Sequence, residues 1–192
     1  MATADISEAL RVPGRLIKNP TDLTAARPGG GTDLGEVADI VFLVGQKHGV
    51  IVAEEFGGQV VEDVMAGESA VLTAVLRQFD EDALGSVFPN AAAGSVTGKR
   101  KIEYAPGKTS GGYKLPGTMR STLAFKLVFW PDDVLRHRFL VLYKAMPMVD
   151  ESAKLQFHMN AEVGIPVVFQ GIPDTANSYR TYDIGFRRDI TL

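Results

Sequence analysis

Apolar residues in this chain recur with a period of two over one segment after another, the rhythm of β-strands that face a core on one side. Leu155, Phe157, Met159 and Ala161 alternate with Gln156, His158, Asn160 and Glu162. Leu123, Phe125, Leu127 and Phe129 share one face of an earlier segment, opposite Thr122, Ala124, Lys126 and Val128. Phe139, Val141 and Tyr143 repeat the pattern within 138–145, and Tyr182, Ile184 and Phe186 mark a final strand. Turn signals separate these runs: Pro131, Asp132 and Asp133, then residues 147–151. Residues 165–169 extend the 155–162 strand past Gly164, the expected site of a bulge. Many short strands with turns between them predict an all-β fold, a sandwich or barrel.

The first half is less regular. Pro13, Pro20, Pro28 and the run Gly29-Gly30-Gly31 interrupt residues 1–36, which read as an arm in which 15–18 is at most a short strand. Residues 37–192 read as one domain. The β-branched runs 40–44 and 50–53 flank Gly45-Gln46-Lys47-His48-Gly49 and predict a hairpin, and 59–65 predicts a further short strand. Residues 69–88 fit either period. We expect a strand near 69–78 and one short flanking helix at 80–87, where Asp80-Glu81-Asp82 suits the positive end of a helix dipole.

The chain has no cysteine, which excludes disulfide scaffolds, thiolate nucleophiles and Cys-ligated metal centres. His48, His137 and His158 fall in different predicted elements without metal-ligand spacing. Gly107-Lys108-Thr109 has Ile102 where a P-loop needs its first glycine, and neither a GxSxG elbow nor a GxGxxG fingerprint occurs. These readings predict no enzyme, no cofactor and no metal. The first ten residues lack the basic and apolar blocks of a signal peptide, and no apolar run approaches the roughly 18–20 residues that span a bilayer. The expectation is a protein that meets no membrane and is assembled in a cytoplasm.

Charge is unevenly placed. Residues 94–120 hold six glycines, two prolines and six basic residues against the single acid Glu103, a net +5 in a chain whose total is −3, so the remainder carries −8. The period-free composition predicts a long loop or an extended hairpin, unusual in a compact domain unless it has a task or is disordered. Nucleic-acid contact is one reading, with Tyr104 and Tyr113 stacking bases among Lys99, Arg100, Lys101, Lys108 and Lys114. A solvated surface loop is another. The reading we favour is a subunit interface in which this segment meets the acids of another copy, notably Glu54, Glu55, Glu62, Asp63 and Glu68. Opposite patches on one chain suit head-to-tail association, which closes rings or builds filaments.

Laid out in order, the chain resembles the tail tube (major tail) proteins of long-tailed bacteriophages. The arm ends in Gly31-Thr32-Asp33-Leu34-Gly35, and a pair of β-runs leads to Glu55-Phe56-Gly57-Gly58-Gln59-Val60-Val61-Glu62-Asp63-Val64. Then come Gly67-Glu68-Ser69, an apolar run, Asp82-Ala83-Leu84-Gly85-Ser86-Val87-Phe88-Pro89, the Gly-rich excursion and the paired strands. The resemblance implies a β-sandwich or barrel with a flanking helix. It implies stacked hexameric rings that conduct DNA, in a virion tail built in the bacterial host cytoplasm. It implies that the arm and the long loop bridge neighbours, that other tail proteins are partners, and that no residue is catalytic.

A conduit should hold DNA loosely, since each neutralised phosphate adds affinity through counterion release. The face Gln156, His158, Asn160 and Glu162, polar and free of Lys and Arg, is therefore a candidate for the lumen, and equally for ordinary outer surface. Rival readings are a terminator or distal ring of similar fold, a nucleic-acid-binding β-barrel, and a small barrel enzyme or ligand carrier.

Overall fold

The computed structural model describes residues 13–53, 59–77, 86–87, 92–96, 99–103, 120–148 and 164–192. Its strands are β1 (Gly14–Lys18), β2 (Thr32–Ala53), β3 (Gln59–Leu76), β4 (Ala92–Val96), β5 (Lys99–Glu103), β6 (Phe125–Pro131), β7 (Phe139–Met148), β8 (Ile165–Gly171) and β9 (Tyr182–Gly185). All pairings are antiparallel. The order β6-β1-β2-β3-β8-β7 closes through a β6–β7 pairing into a six-stranded barrel. β8 and β9 share one edge of β7, β8 beside residues 145–148 and β9 beside residues 139–142. Closure removes the open sheet edges that would otherwise invite further pairing. Among the described residues no helix reaches seven residues or is long and apolar enough to cross a membrane.

Period-two burial builds the interior. In β8, Ile165, Val167 and Phe169 are buried while Pro166, Val168 and Gln170 are half-exposed. They join Leu16, Leu34, Leu72, Leu127, Phe129, Leu140 and Leu142 in the barrel core. A second apolar layer lies outside β1, β6 and β7, where Ile17, Val128, Trp130, Phe139, Val141 and Tyr143 pack under Leu23, Val134, Ile190 and Leu192. Trp130 and Phe139 meet edge-to-face at 5.3 Å. This outer layer explains why β6 and β7 are apolar on both faces: the loop after β1 and residues 186–192 clothe one side of the barrel.

Several expectations are corrected. Residues 14–36 are no separate arm, because β1 pairs with both β2 and β6 and Leu16 and Ile17 are wholly buried. The prolines and glycines read as interruptions instead shape the loop after β1. There Gly29 has φ +61°, and an added Cβ would lie 2.1 Å from the Asp22 carbonyl oxygen. The hairpin expected around Gly45 and Gly49 is also absent. Neither glycine has the positive φ that a tight turn asks for, and β2 runs straight through both for 22 residues. The chain reverses only after Ala53. Residues 59–65 and 69–76 form not two strands but the single β3.

Pro147, expected in a turn, lies within β7 opposite Phe169. It lies beyond the end of the β6–β7 ladder at Ala145, so it takes no donor from that ladder. Of the helix expected at 80–87, Ser86 and Val87 are helical and the rest lies outside the described residues. Val87 is buried against the barrel core. The 155–162 strand also lies outside them, whereas strands are present where 122–129, 138–145, 165–169 and 182–186 were expected, except that Thr122 and Leu123 belong to a 3-10 turn before β6 and Phe186 follows β9.

Candidate assembly interface

β2 and β3 outgrow the barrel. β1 pairs with β2 over residues 32–37, and β8 meets β3 only from Ala70 onward. Beyond the Val44–Ala70 pair the two strands continue, bonded to each other as far as Ala53 and Gln59. No other described strand pairs with this projecting ribbon on either edge. A two-stranded ribbon in water is marginally stable by itself. Bulges between Lys47 and His48 and between Ile51 and Val52 set extra residues into β3, which sharpens the ribbon's twist.

The ribbon displays apolar side chains. Val50 is 61% exposed, and Ile51, Val52 and Val64 are also exposed. Covering what remains accessible of each would contribute about 1 kcal/mol. A second uncharged patch lies on the outer wall of the barrel. Val41 and Leu43 of β2 lie opposite Thr73 and Val71 of β3, these beside Val168 and Gln170 of β8, and these beside Met148 and Met146 of β7. All eight are half-exposed or exposed and none is charged. An uncharged surface of this kind, apolar except for Thr73 and Gln170, marks an interaction site more often than isolated exposed leucines do.

The base of the ribbon is fixed by two contacts. Phe42 packs edge-to-face against Tyr182 at 5.1 Å. The Tyr182 hydroxyl donates to Glu68 Oε1 at 2.7 Å, and that carboxylate contact holds the phenol protonated to higher pH than usual. On the clothed side Tyr143, its phenol pushed up by burial and then by its bond to Asp183, donates to Asp183 Oδ2 at 2.6 Å.

Of the acids expected to form the counter-surface, Glu62, Asp63 and Glu68 lie on β3 within the ribbon, and Glu62 and Glu68 are exposed. Glu54 and Glu55 lie outside the described residues. Lys99, Arg100 and Lys101 lie on β5, which pairs with β4 in a two-stranded sheet separate from the barrel, so the start of the basic segment is a hairpin. Tyr104, Lys108, Tyr113 and Lys114 lie outside the described residues, as do Gln156, His158, Asn160 and Glu162 of the lumen expectation. His48 is exposed on the ribbon, and no group of three metal-ligating side chains occurs among the described residues. Sequence reasoning missed the bare apolar wall. Its signal was present in the unbroken Val and Ile runs at 40–44 and 50–53, which leave neither face polar.

The chain matches no family model and none of the curated proteins.

Proposed function

We propose that this chain is a structural protein whose copies assemble through the β2–β3 ribbon and the adjoining bare wall into stacked hexameric rings of a phage tail tube. The single observation behind the reading is the projecting ribbon, which carries exposed Val50, Ile51, Val52 and Val64 where a lone subunit gains nothing from them. A neighbouring copy that covered the ribbon could add a strand where no other described strand pairs with it and would bury its apolar side chains together. Acids on the ribbon and bases on β5 add head-to-tail complementarity. The resemblance in order and texture supplies the tube, its place in the virion tail, loose passage of DNA and contact with other tail proteins. A terminator or distal ring would use the same contacts.

Electron microscopy with mass measurement of the purified protein tests this reading. Rings or tubes built on units of six 20.7 kDa chains, about 124 kDa, are expected. A strict monomer at millimolar concentration overturns it.

A further inference from the structure

On the clothed side of the barrel, a groove of about 520 Å³ opens between the turn that follows β6 and the segment that follows β9. Val134, Leu135 and Phe186 give it an apolar floor, and Thr24, Arg187 and Arg188 complete its lining. Leu135 leaves 86% of its surface in solvent there. Guanidinium groups stand beside that floor. Those of Arg138 and Arg188 lie 5.5 Å and 6.0 Å from the centre of the Phe186 ring. Arg188 has Asp189 at 3.6 Å, whereas Arg187 donates to the neutral Ala25 carbonyl at 3.0 Å and no described carboxylate pairs with Arg138. Positive charge is left over for a carboxylate, next to apolar surface left over for an aliphatic side chain.

The β2–β3 ribbon carries both on one face. Gly49 pairs with Val64 and Ile51 with Glu62, and in a sheet residues directly opposite or two apart along a strand point the same way. Ile51, Glu62 and Val64 therefore share a face, and all three are exposed. Among the described residues no cation pairs with Glu62. Two residues of strand set Glu62 about 7 Å from Val64, a step similar to that from the Phe186 ring to the Arg138 guanidinium. The ribbon leaves the barrel from β2 and β3, while the groove lies beside the ends of β6 and β9, so the match is one between copies.

We propose that the face of Ile51, Glu62 and Val64 on one copy seats in this groove of the next, Ile51 and Val64 against Leu135 and Phe186 and Glu62 toward Arg138. The inference rests on the reading that copies of this chain associate through the ribbon, and it names the surface that receives it. The contact is head-to-tail, since the ribbon and the groove are different surfaces of one chain.

Because the chain has no cysteine, two full-length single-cysteine variants mixed in equal amounts under oxidising conditions report the contact directly. V64C is expected to form a mixed disulfide with L135C at least tenfold faster than with L43C, whose site is exposed on the bare wall. Adding E62R to the V64C partner is expected to slow the V64C–L135C reaction about tenfold. Adding R138E to the L135C partner is expected to slow it equally, and the two reversals together to restore the rate. Faster reaction with L43C would overturn the proposal and leave association through the ribbon standing. Rates indifferent to the reversals would also overturn it, as would V64C homodimers as the main product or an intrachain disulfide as the main product of a V64C/L135C chain. A fast, charge-dependent V64C–L135C link in a protein that forms no rings would support this contact and overturn the tube.

Discussion

The Tyr182 hydroxyl and the Glu68 carboxylate, 114 residues apart in sequence, meet at 2.7 Å where the β2–β3 ribbon leaves the barrel. The bond ties β9 to the ribbon's base, with Phe42 edge-on against the same phenol.

Removing that hydroxyl should loosen the ribbon before it harms the barrel. Tyr182→Phe is expected to cost about 1 kcal/mol, a fall in Tm of about 2–4 °C for a chain of this size. Hydrogen exchange should accelerate in residues 45–53 and 59–68 more than in β6 or β7. Equal acceleration throughout would show that the bond does not serve the ribbon.

The phenols of Tyr143 and Tyr182 should make stability fall in alkali. Both are held above the ordinary tyrosine value near 10, Tyr143 by burial and then by its bond to Asp183, Tyr182 by its bond to Glu68. The fold therefore favours their protonated forms. The stability they contribute is complete below the unfolded value and is lost as pH climbs through the raised folded values. Phenolate absorbance should rise at higher pH in the folded chain than in urea, and Y143F/Y182F should remove most of that lag. Superimposable titration curves would contradict it.

Gly14 sits where β1 and β6 nearly touch. A Cβ there would come within 2.5 Å of Phe129 Cε2 and 2.7 Å of the Trp130 carbonyl oxygen. Gly14→Ala is expected to destabilise the barrel by about 1–3 kcal/mol in denaturant unfolding, as overpacked cores do. An unchanged midpoint would mean that β1 shifts without cost.

Ribbon substitutions should separate assembly from folding. Val50→Asp with Val52→Asp alters two exposed side chains outside the barrel, so its stability should change by less than about 0.5 kcal/mol. Sedimentation should nonetheless show loss of the assembled mass. Tubes that persist would remove the ribbon from the interface.

Much of the barrel was legible in sequence because burial alternates along its strands. Phe125, Leu127 and Phe129 share the core as their spacing predicts, and Ile165, Val167 and Phe169 do the same. Short strands with remote partners were not legible. β1 has five residues among prolines and glycines, and its claim to the sheet comes from β2 and β6, which its own residues do not announce. Gly45 and Gly49 misled because a glycine at a turn and a glycine in an extended strand are the same letter. Only φ separates them. The acids of β3 and the bases of β5 are visible as charge in the sequence itself, and the fold adds only the strands that carry them. The bare wall required the register that sets Leu43 beside Val71 and Val168 beside Met148.

Among the described residues the barrel wears its second apolar layer on one side only. Leu23, Val134, Ile190 and Leu192 seal the wall of β1, β6 and β7, while no described segment covers the wall of β2, β3 and β8 or the far end of β7 in this way. A subunit so finished is a vector: its back and its front are decided within the monomer, before any neighbour arrives. One face meeting itself gives a two-fold pair, so a ring about one axis would need the front of one copy to meet a different surface of the next, as the acids of β3 and the bases of β5 would allow.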